Sequence, residues 1–411
     1  MISIPHWVIL INNRSDRSFF ISGLLKGELE EFELLRDKKG ALFSKSRLDA
    51  FMEEEIRHDQ KILTAHTDQS LQSMSSGERK KVLLRHILES DPDYLILDNP
   101  FDNLDRDSQQ KLKETLSKVS ENVVTVLLLS RTSDILPFCN RFCHLNGKSL
   151  AFFKDQSAWN LKEAKEPFHG NIPLPLEEIE YRDELLVRFK DVSVSYGPKP
   201  ILNNINWEIR SGDYWQLSGP NGSGKTTLLS MITGDNPKAY GQDLFLFGHQ
   251  KGSGESVWDL KRFLGYFTPA MVDRFRGYHS LENMLISGLM DSIGLYVTPN
   301  EAQKRLAGEW LSLLGFDGKE GQYFHELSTG QQRLIMCARA MIKHPLLLIL
   351  DEPTASLDDE SARLVTSLVN KISEESRTAI VFVSHRTEPG LKPESKLDLL
   401  PTSKGSEGIR K

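Results

Sequence analysis

A chain of 411 residues with 39% apolar content is long enough for two to three domains of ordinary size, each with its own core, and two copies of one domain fit well. Its net charge of −6 supplies no global basic field to drive it onto nucleic acid or an anionic membrane, and no run approaches the roughly 18 apolar residues of a membrane span. Three cysteines, Cys139, Cys143 and Cys337, are too few for a disulfide framework and suggest a reducing compartment.

In chain order, residues 1–11 read as a strand and 12–17 as a polar stretch, unlike a secretory signal or an acid-free transit peptide. The charged run 52–57 reads as a solvated helix face. Met74-Ser75-Ser76-Gly77-Glu78 then precedes a helical stretch, Asp91-Pro92, an apolar strand, and Asp98-Asn99-Pro100-Phe101 running to Leu104-Asp105. A helix and a second apolar strand, 123–129, follow. Cys139-x-x-x-Cys143-His144 has no accompanying ligand pair, so it is read as buried thiols near a strand end rather than a metal site. Residues 148–185 carry Pro167, Pro173 and Pro175 ahead of acidic Glu177-Glu178-Ile179-Glu180 and read as a linker between a domain at 1–147 and one at 186–411.

In the second half an apolar strand, 214–217, leads into Gly219-Pro220-Asn221-Gly222-Ser223-Gly224-Lys225-Thr226-Thr227 and a helix at 228–232. This arrangement binds nucleotide phosphates: glycines let successive N–H groups point at phosphate oxygens, the helix N-terminus adds partial positive charge, and Lys225 adds a full one. The Thr226 hydroxyl is suited to ligate Mg²⁺ bridging the outer phosphates. Further on, Leu327-Ser328-Thr329-Gly330-Gln331 precedes a helix, His344-Pro345, an apolar strand at 346–350, and Asp351-Glu352-Pro353-Thr354 running to Leu357-Asp358. An apolar strand at 379–383 and His385 close the block. This order repeats the first half, and 23 residues separate Ser75 from Asp98 as they separate Ser328 from Asp351. Duplicated α/β domains with parallel sheets follow.

With both blocks in view, the chain resembles the ATP-binding-cassette (ABC) ATPases, in tandem and without transmembrane segments. The expected fold is α/β: two tandem P-loop NTPase domains, each a parallel-sheet core with a helical subdomain, the first one truncated. Tyr196, 23 residues before Gly219, matches the aromatic that stacks on adenine in that family. Ser328-Thr329-Gly330-Gln331 matches the signature loop, Asp351 the Walker B carboxylate, Glu352 the catalytic carboxylate, Leu357-Asp358 the D-loop and His385 the switch histidine. Segments such as Pro200-Ile201-Leu202-Asn203-Asn204 and Gly252-Ser253-Gly254-Glu255 look like the soluble tandem ModF-like group, associated by name with molybdate transport. No molybdate-binding constellation is legible.

The resemblance implies two ATP sites, each pairing one domain's phosphate loop with the other's signature loop. The expected competent site joins Gly219 to Thr227, Asp351, Glu352 and His385 with Ser75, Ser76 and Gly77 of the first half. There Asp351 holds Mg²⁺ through water, Glu352 orients or deprotonates the attacking water, and His385 contacts water and the γ-phosphate. ATP and Mg²⁺ are therefore the expected cofactors. Aligning Trp7 with Trp215 places 12–18 at the second phosphate loop, where no glycine stands, Asp16 brings negative charge and Arg17 replaces the lysine. Asn99 takes the catalytic-carboxylate position and Arg131 the histidine position, so that site is expected to be inert. From Arg17 to Ser75 is 58 residues against 103 from Lys225 to Ser328, which trims the first domain.

One departure falls in the intact half. Gly265-Tyr266-Phe267-Thr268-Pro269 carries Thr268 where transporters of the family carry a glutamine that touches Mg²⁺ and relays closure to a membrane subunit. The expectation is a cytoplasmic ATPase, at most peripheral to the inner membrane face, whose two halves pair within one chain and which serves an unidentified membrane or protein partner. A nucleotide-dependent regulatory switch with little turnover is the alternative. A translation factor ranks below it, because such proteins carry two competent sites and a long charged arm.

Overall fold

The computed structural model describes residues 4–58, 60–65, 69–155, 167–275 and 277–411. The chain forms two units, Met1–Glu163 with Ser356–Asp359, and Ala164–Ala355 with Glu360–Lys411.

In the first unit the elements run β1 (Trp7–Ile11), α1 (Arg17–Leu25), β2 (Gly40–Phe43), α2 (Lys45–His58), α3 (Ser76–Glu89), β3 (Tyr94–Asp98), α4 (Arg106–Val119), β4 (Val124–Leu129), β5 (Arg141–Asn146) and β6 (Ser149–Phe153). Sheet order is β2-β3-β4-β1-β5-β6, parallel except for the last pair. β3 and β4 are mostly apolar, with Asp98 and Thr125 the exceptions, because both faces are covered: Leu95 and Leu97 pack into one core, Tyr94 and Ile96 into the other. α2 keeps an exposed charged face, yet its Glu55 is buried and accepts the Leu71 N–H.

The second unit runs β7 (Leu185–Tyr196), β8 (Lys199–Arg210), β9 (Tyr214–Ser218), α5 (Lys225–Ile232), β10 (Asp243–Leu246), β11 (His249–Gln250), α6 (Val257–Lys261), β12 (Leu264–Phe267), α7 (Leu281–Ile286), α8 (Glu301–Leu313), α9 (Thr329–Met341), β13 (Leu347–Asp351), α10 (Asp359–Glu375), β14 (Ala379–Val383), β15 (Ser395–Thr402) and β16 (Gly405–Arg410). Its order is β11-β10-β7-β8-β16-β15-β9-β14-β13-β12. Read from its β12 end, β12-β13-β14-β9-β15-β16 repeats the first sheet strand for strand. The remaining strands, β7, β8, β10 and β11, form an antiparallel addition. The described residues of the first unit carry no counterpart to it, which accounts for part of the shorter spacing.

The segment expected as a linker, 148–185, lies outside the described residues at 156–166. Its start is not a connection: Ser149–Phe153 is β6, paired with β5. Its later part packs on the second unit, where Phe168 and Ile172 are buried and the Ile172 N–H donates to Glu375 Oε2 at 2.8 Å. No helix among the described residues is long and apolar enough to cross a membrane.

Candidate functional site

β9 is an interior strand of the second unit, lying between β14 and β15, and it delivers the chain to the phosphate loop at its C-terminal end. The loop needs glycine for steric reasons. At Gly219, φ is 148° and an added Cβ would lie 2.7 Å from the Leu399 carbonyl oxygen; at Gly224, φ is 93° and a Cβ would lie 2.6 Å from Leu202 Cδ2. Gly224 caps α5, so the helix starts at Lys225 and its first N–H groups face the loop. Lys225 is only 7% exposed, and its ammonium donates to the carbonyls of Gly219 at 2.8 Å and Pro220 at 3.0 Å. Ser223 is wholly buried. The cradle that a Cβ would fill and the buried lysine fit a polyphosphate.

Two further strands bring the carboxylates and the histidine. β13 ends in Asp351, and Glu352 follows at φ 52°, its N–H held by the Val383 carbonyl of β14 at 3.0 Å. Such a left-handed turn in a non-glycine residue is strained and is kept because the strand ends on both sides fix it. His385, two residues past β14, places Nδ1 3.1 Å from the Gly219 oxygen and Nε2 against Glu352 Oε1. Lys225 and His385 thus converge on the first glycine of the loop, and Glu352 joins them through His385. Burial, then the neighbouring Glu352 carboxylate, pushes Asp351 up to about 6, against the pull of Lys225 and His385. Asp351 and the Thr226 hydroxyl offer the hard oxygen donors that Mg²⁺ takes.

Tyr196 ends β7, 46% exposed; its hydroxyl meets Asn236, whose Nδ2 donates to it at 2.9 Å, and Lys238 Nζ lies 5.9 Å from its ring centre. Asn236 and Lys238 were not singled out from sequence; the Asn-Pro step after Gly234 was the available signal. Thr268 follows β12 in extended conformation and leads into the turn 269–274, its carbonyl accepting the Met271 N–H at 2.9 Å. Arg333 lies over the adjoining Phe267 ring, 5.5 Å from its centre.

The two signature loops are built alike. Ser75 caps α3 and Ser328 caps α9, each in a reciprocal capping box, with Glu78 and Gln331 respectively. Ser76 Oγ donates to the Asn103 carbonyl at 3.0 Å, and a Cβ on Gly77 would lie 2.9 Å from Ser108 Oγ.

In the first unit the backbone N–H groups of the loop 12–16 are taken up by protein acceptors. The amide of Asn12 donates to Ser15 Oγ, that of Arg14 to Asn12 Oδ1, that of Ser15 to the Asn12 carbonyl and that of Asp16 to the Gly147 carbonyl, all within 2.8 to 3.1 Å. Asp16 caps α1 by accepting the Phe19 N–H, where Gly224 stands in the other loop. Arg17 Nη1 lies 3.7 Å from Asp98 Oδ1. Asn99 repeats the left-handed turn of Glu352, with φ 43° and its N–H on the Leu128 carbonyl at 3.0 Å, but its side chain accepts from Ser130 N and Oγ. Cys139, Cys143 and Cys337 are buried, and burial raises all three thiols.

Residues 202–355 match the family model described as ABC transporter. The chain is 38% identical over 339 residues to the ABC transporter ATP-binding protein ModF of Escherichia coli, covering 79% of this chain and 69% of that protein. It is 29% identical to an uncharacterized ABC transporter ATP-binding protein of Schizosaccharomyces pombe, covering 77% of this chain and 66% of the relative. Among solved structures, the archaeal ribosome recycling factor aABCE1, in complex with the ribosomal stalk protein aP1, is similar over 99% of this chain and 85% of its own. The TM-score there is 0.63 at 16% identity, a likeness of fold.

Proposed function

The chain belongs to the ATP-binding-cassette family of ABC transporter ATP-binding proteins, and from that premise we propose that it hydrolyses ATP at one competent site, formed when its two units close on the nucleotide. The observation that carries this reading is the meeting of Lys225 and His385 on Gly219, with Glu352 against His385, whereas the corresponding first-unit loop has its own backbone donors taken up by protein. In the proposed site Lys225 and the loop amides neutralise the phosphates, and Tyr196 stacks on the base. Ser75, Ser76 and Gly77 cap the γ-phosphate from the first unit. Glu352 orients and accepts a proton from the attacking water, while His385 bonds the γ-phosphate and that water. Thr226, and Asp351 through water, would hold Mg²⁺, which would supply charge neutralisation at the outer phosphates. Binding ATP joins the halves and hydrolysis releases them, so the chain is a motor or a timer for a partner. That partner is an unidentified membrane or other protein.

A specific residue favours a second reading, a nucleotide switch of low turnover: Thr268 stands where the family carries glutamine. Steady-state ATP hydrolysis with Mg²⁺, by the unaltered chain and by Glu352→Gln, separates the two. Turnover that Glu352→Gln abolishes supports the enzyme; turnover unaffected by that change removes Glu352 from the mechanism.

A further inference from the structure

Asn236 stands just past α5, at the start of the turn Pro237–Ala239, and is 4% exposed. Both polar atoms of its side-chain amide are engaged. Nδ2 donates to the Tyr196 hydroxyl at 2.9 Å and to Ser230 Oγ at 3.0 Å, while Oδ1 accepts the Lys238 N–H at 3.0 Å. The backbone N–H of Asn236 donates to the Ser230 carbonyl at 3.0 Å. Ser230 lies in α5, and its hydroxyl donates to the Thr227 carbonyl at 2.9 Å. Hydrogen bonds therefore run without a break from Tyr196, through Asn236 and Ser230, to Thr227 in the first turn of the helix that follows the phosphate loop.

Tyr196 closes β7 at the hairpin with β8 and keeps 46% of its surface exposed, so packing alone holds its ring loosely. An aromatic ring binds a base better when it is already oriented, because the cost of ordering it is then met in folding and not in binding. A buried amide whose donors and acceptor are all satisfied is a constraint of that kind. We propose that Asn236 is a positioning residue for base recognition: it fixes the ring of Tyr196 and ties it to α5, so that the base and the phosphates of one nucleotide are met at a set separation. The inference rests on the reading of Tyr196 as the aromatic that stacks on the base. Capping the turn Pro237–Ala239 would need only Oδ1 of Asn236. The two bonds from Nδ2 go beyond that need, and they join the tyrosine to the helix.

The test uses the full chain and two ligands, each with Mg²⁺: ATP, and tripolyphosphate, which has the phosphates and no base. Tyr196→Phe keeps the ring and removes the hydroxyl that Asn236 holds. It is expected to weaken ATP binding about three- to tenfold, the worth of one neutral hydrogen bond, and to leave tripolyphosphate binding within about twofold. Asn236→Ala is expected to raise KM for ATP by about the same factor while kcat stays within about twofold. Combined with Tyr196→Phe it is expected to add little, because both changes remove one bond. The proposal is overturned if Tyr196→Phe binds ATP as the unaltered chain does while Tyr196→Ala binds it more weakly, or if Tyr196→Phe loses affinity for both ligands alike. Unchanged ATP affinity in Tyr196→Ala removes the stacking reading, and this proposal with it, whatever the Asn236 variant does.

Discussion

Lys225 and His385 meet on a single atom: the Gly219 carbonyl oxygen accepts the lysine ammonium at 2.8 Å and lies 3.1 Å from His385 Nδ1. The ammonium proposed to bind phosphate and the residue that follows β14 are therefore tied to the same turn. On the proposed reading, nucleotide that draws Lys225 onto its phosphates is expected to loosen one of the two bonds holding that oxygen.

Lys225→Ala is expected to weaken ATP binding by about ten- to a hundredfold, the worth of a charge-assisted hydrogen bond of about 1.5–3 kcal/mol. Titration calorimetry with ATP checks this, and an unchanged affinity would remove Lys225 from the site.

Gly224→Ala places a Cβ 2.6 Å from Leu202 Cδ2 at a backbone φ of 93°. The expected cost is on the order of 1–3 kcal/mol, accompanied by weaker ATP binding. A urea midpoint equal to that of the unaltered chain would show that the loop relaxes freely.

Ser75→Arg and Ser328→Arg each break a capping box and are expected to cost about 1 kcal/mol of stability. Only Ser75→Arg is expected to suppress turnover, because only Ser75 is assigned to the competent site. Equal loss of ATPase rate in both would point to two working sites.

Glu255 and Lys251 form an ion pair at 2.8 Å with side chains 2% and 0% exposed. Burial alone raises the Glu255 carboxyl, but the Lys251 ammonium and the Gly252 N–H pull it down to about 2. A carboxyl depressed in the folded state stabilises it above the unfolded pKa, near 4.5, and this stability is lost as pH falls toward 2. Glu255→Gln is expected to destabilise the fold at pH 7 and to flatten the acid limb of the stability curve. Denaturant midpoints from pH 2 to 7 read both effects.

Much of this architecture was legible because its signals are local. The glycine spacing of 219–224 marks a loop that only glycine can build, and the 23-residue spacing of both blocks marks the repeat. Pairing Trp7 with Trp215 puts Arg17 opposite Lys225, and α1 and α5 begin at those residues. Long-range facts were not legible. That Asp16 bonds Gly147 and Asn13 bonds Asp358 depends on contacts 131 and 345 residues apart, which no pattern of period two or 3.6 announces. Strand β6 was hidden for another reason: Ser149–Phe153 is a largely exposed edge strand with little alternation to distinguish it from a linker.

The central claim, one competent site per chain, is tested most directly by counting the ATP trapped by purified Glu352→Gln with Mg²⁺, alongside the protein concentration. One nucleotide per chain is expected; two would show that the first unit binds ATP despite its closed loop, and none would remove the site at Gly219 from the account.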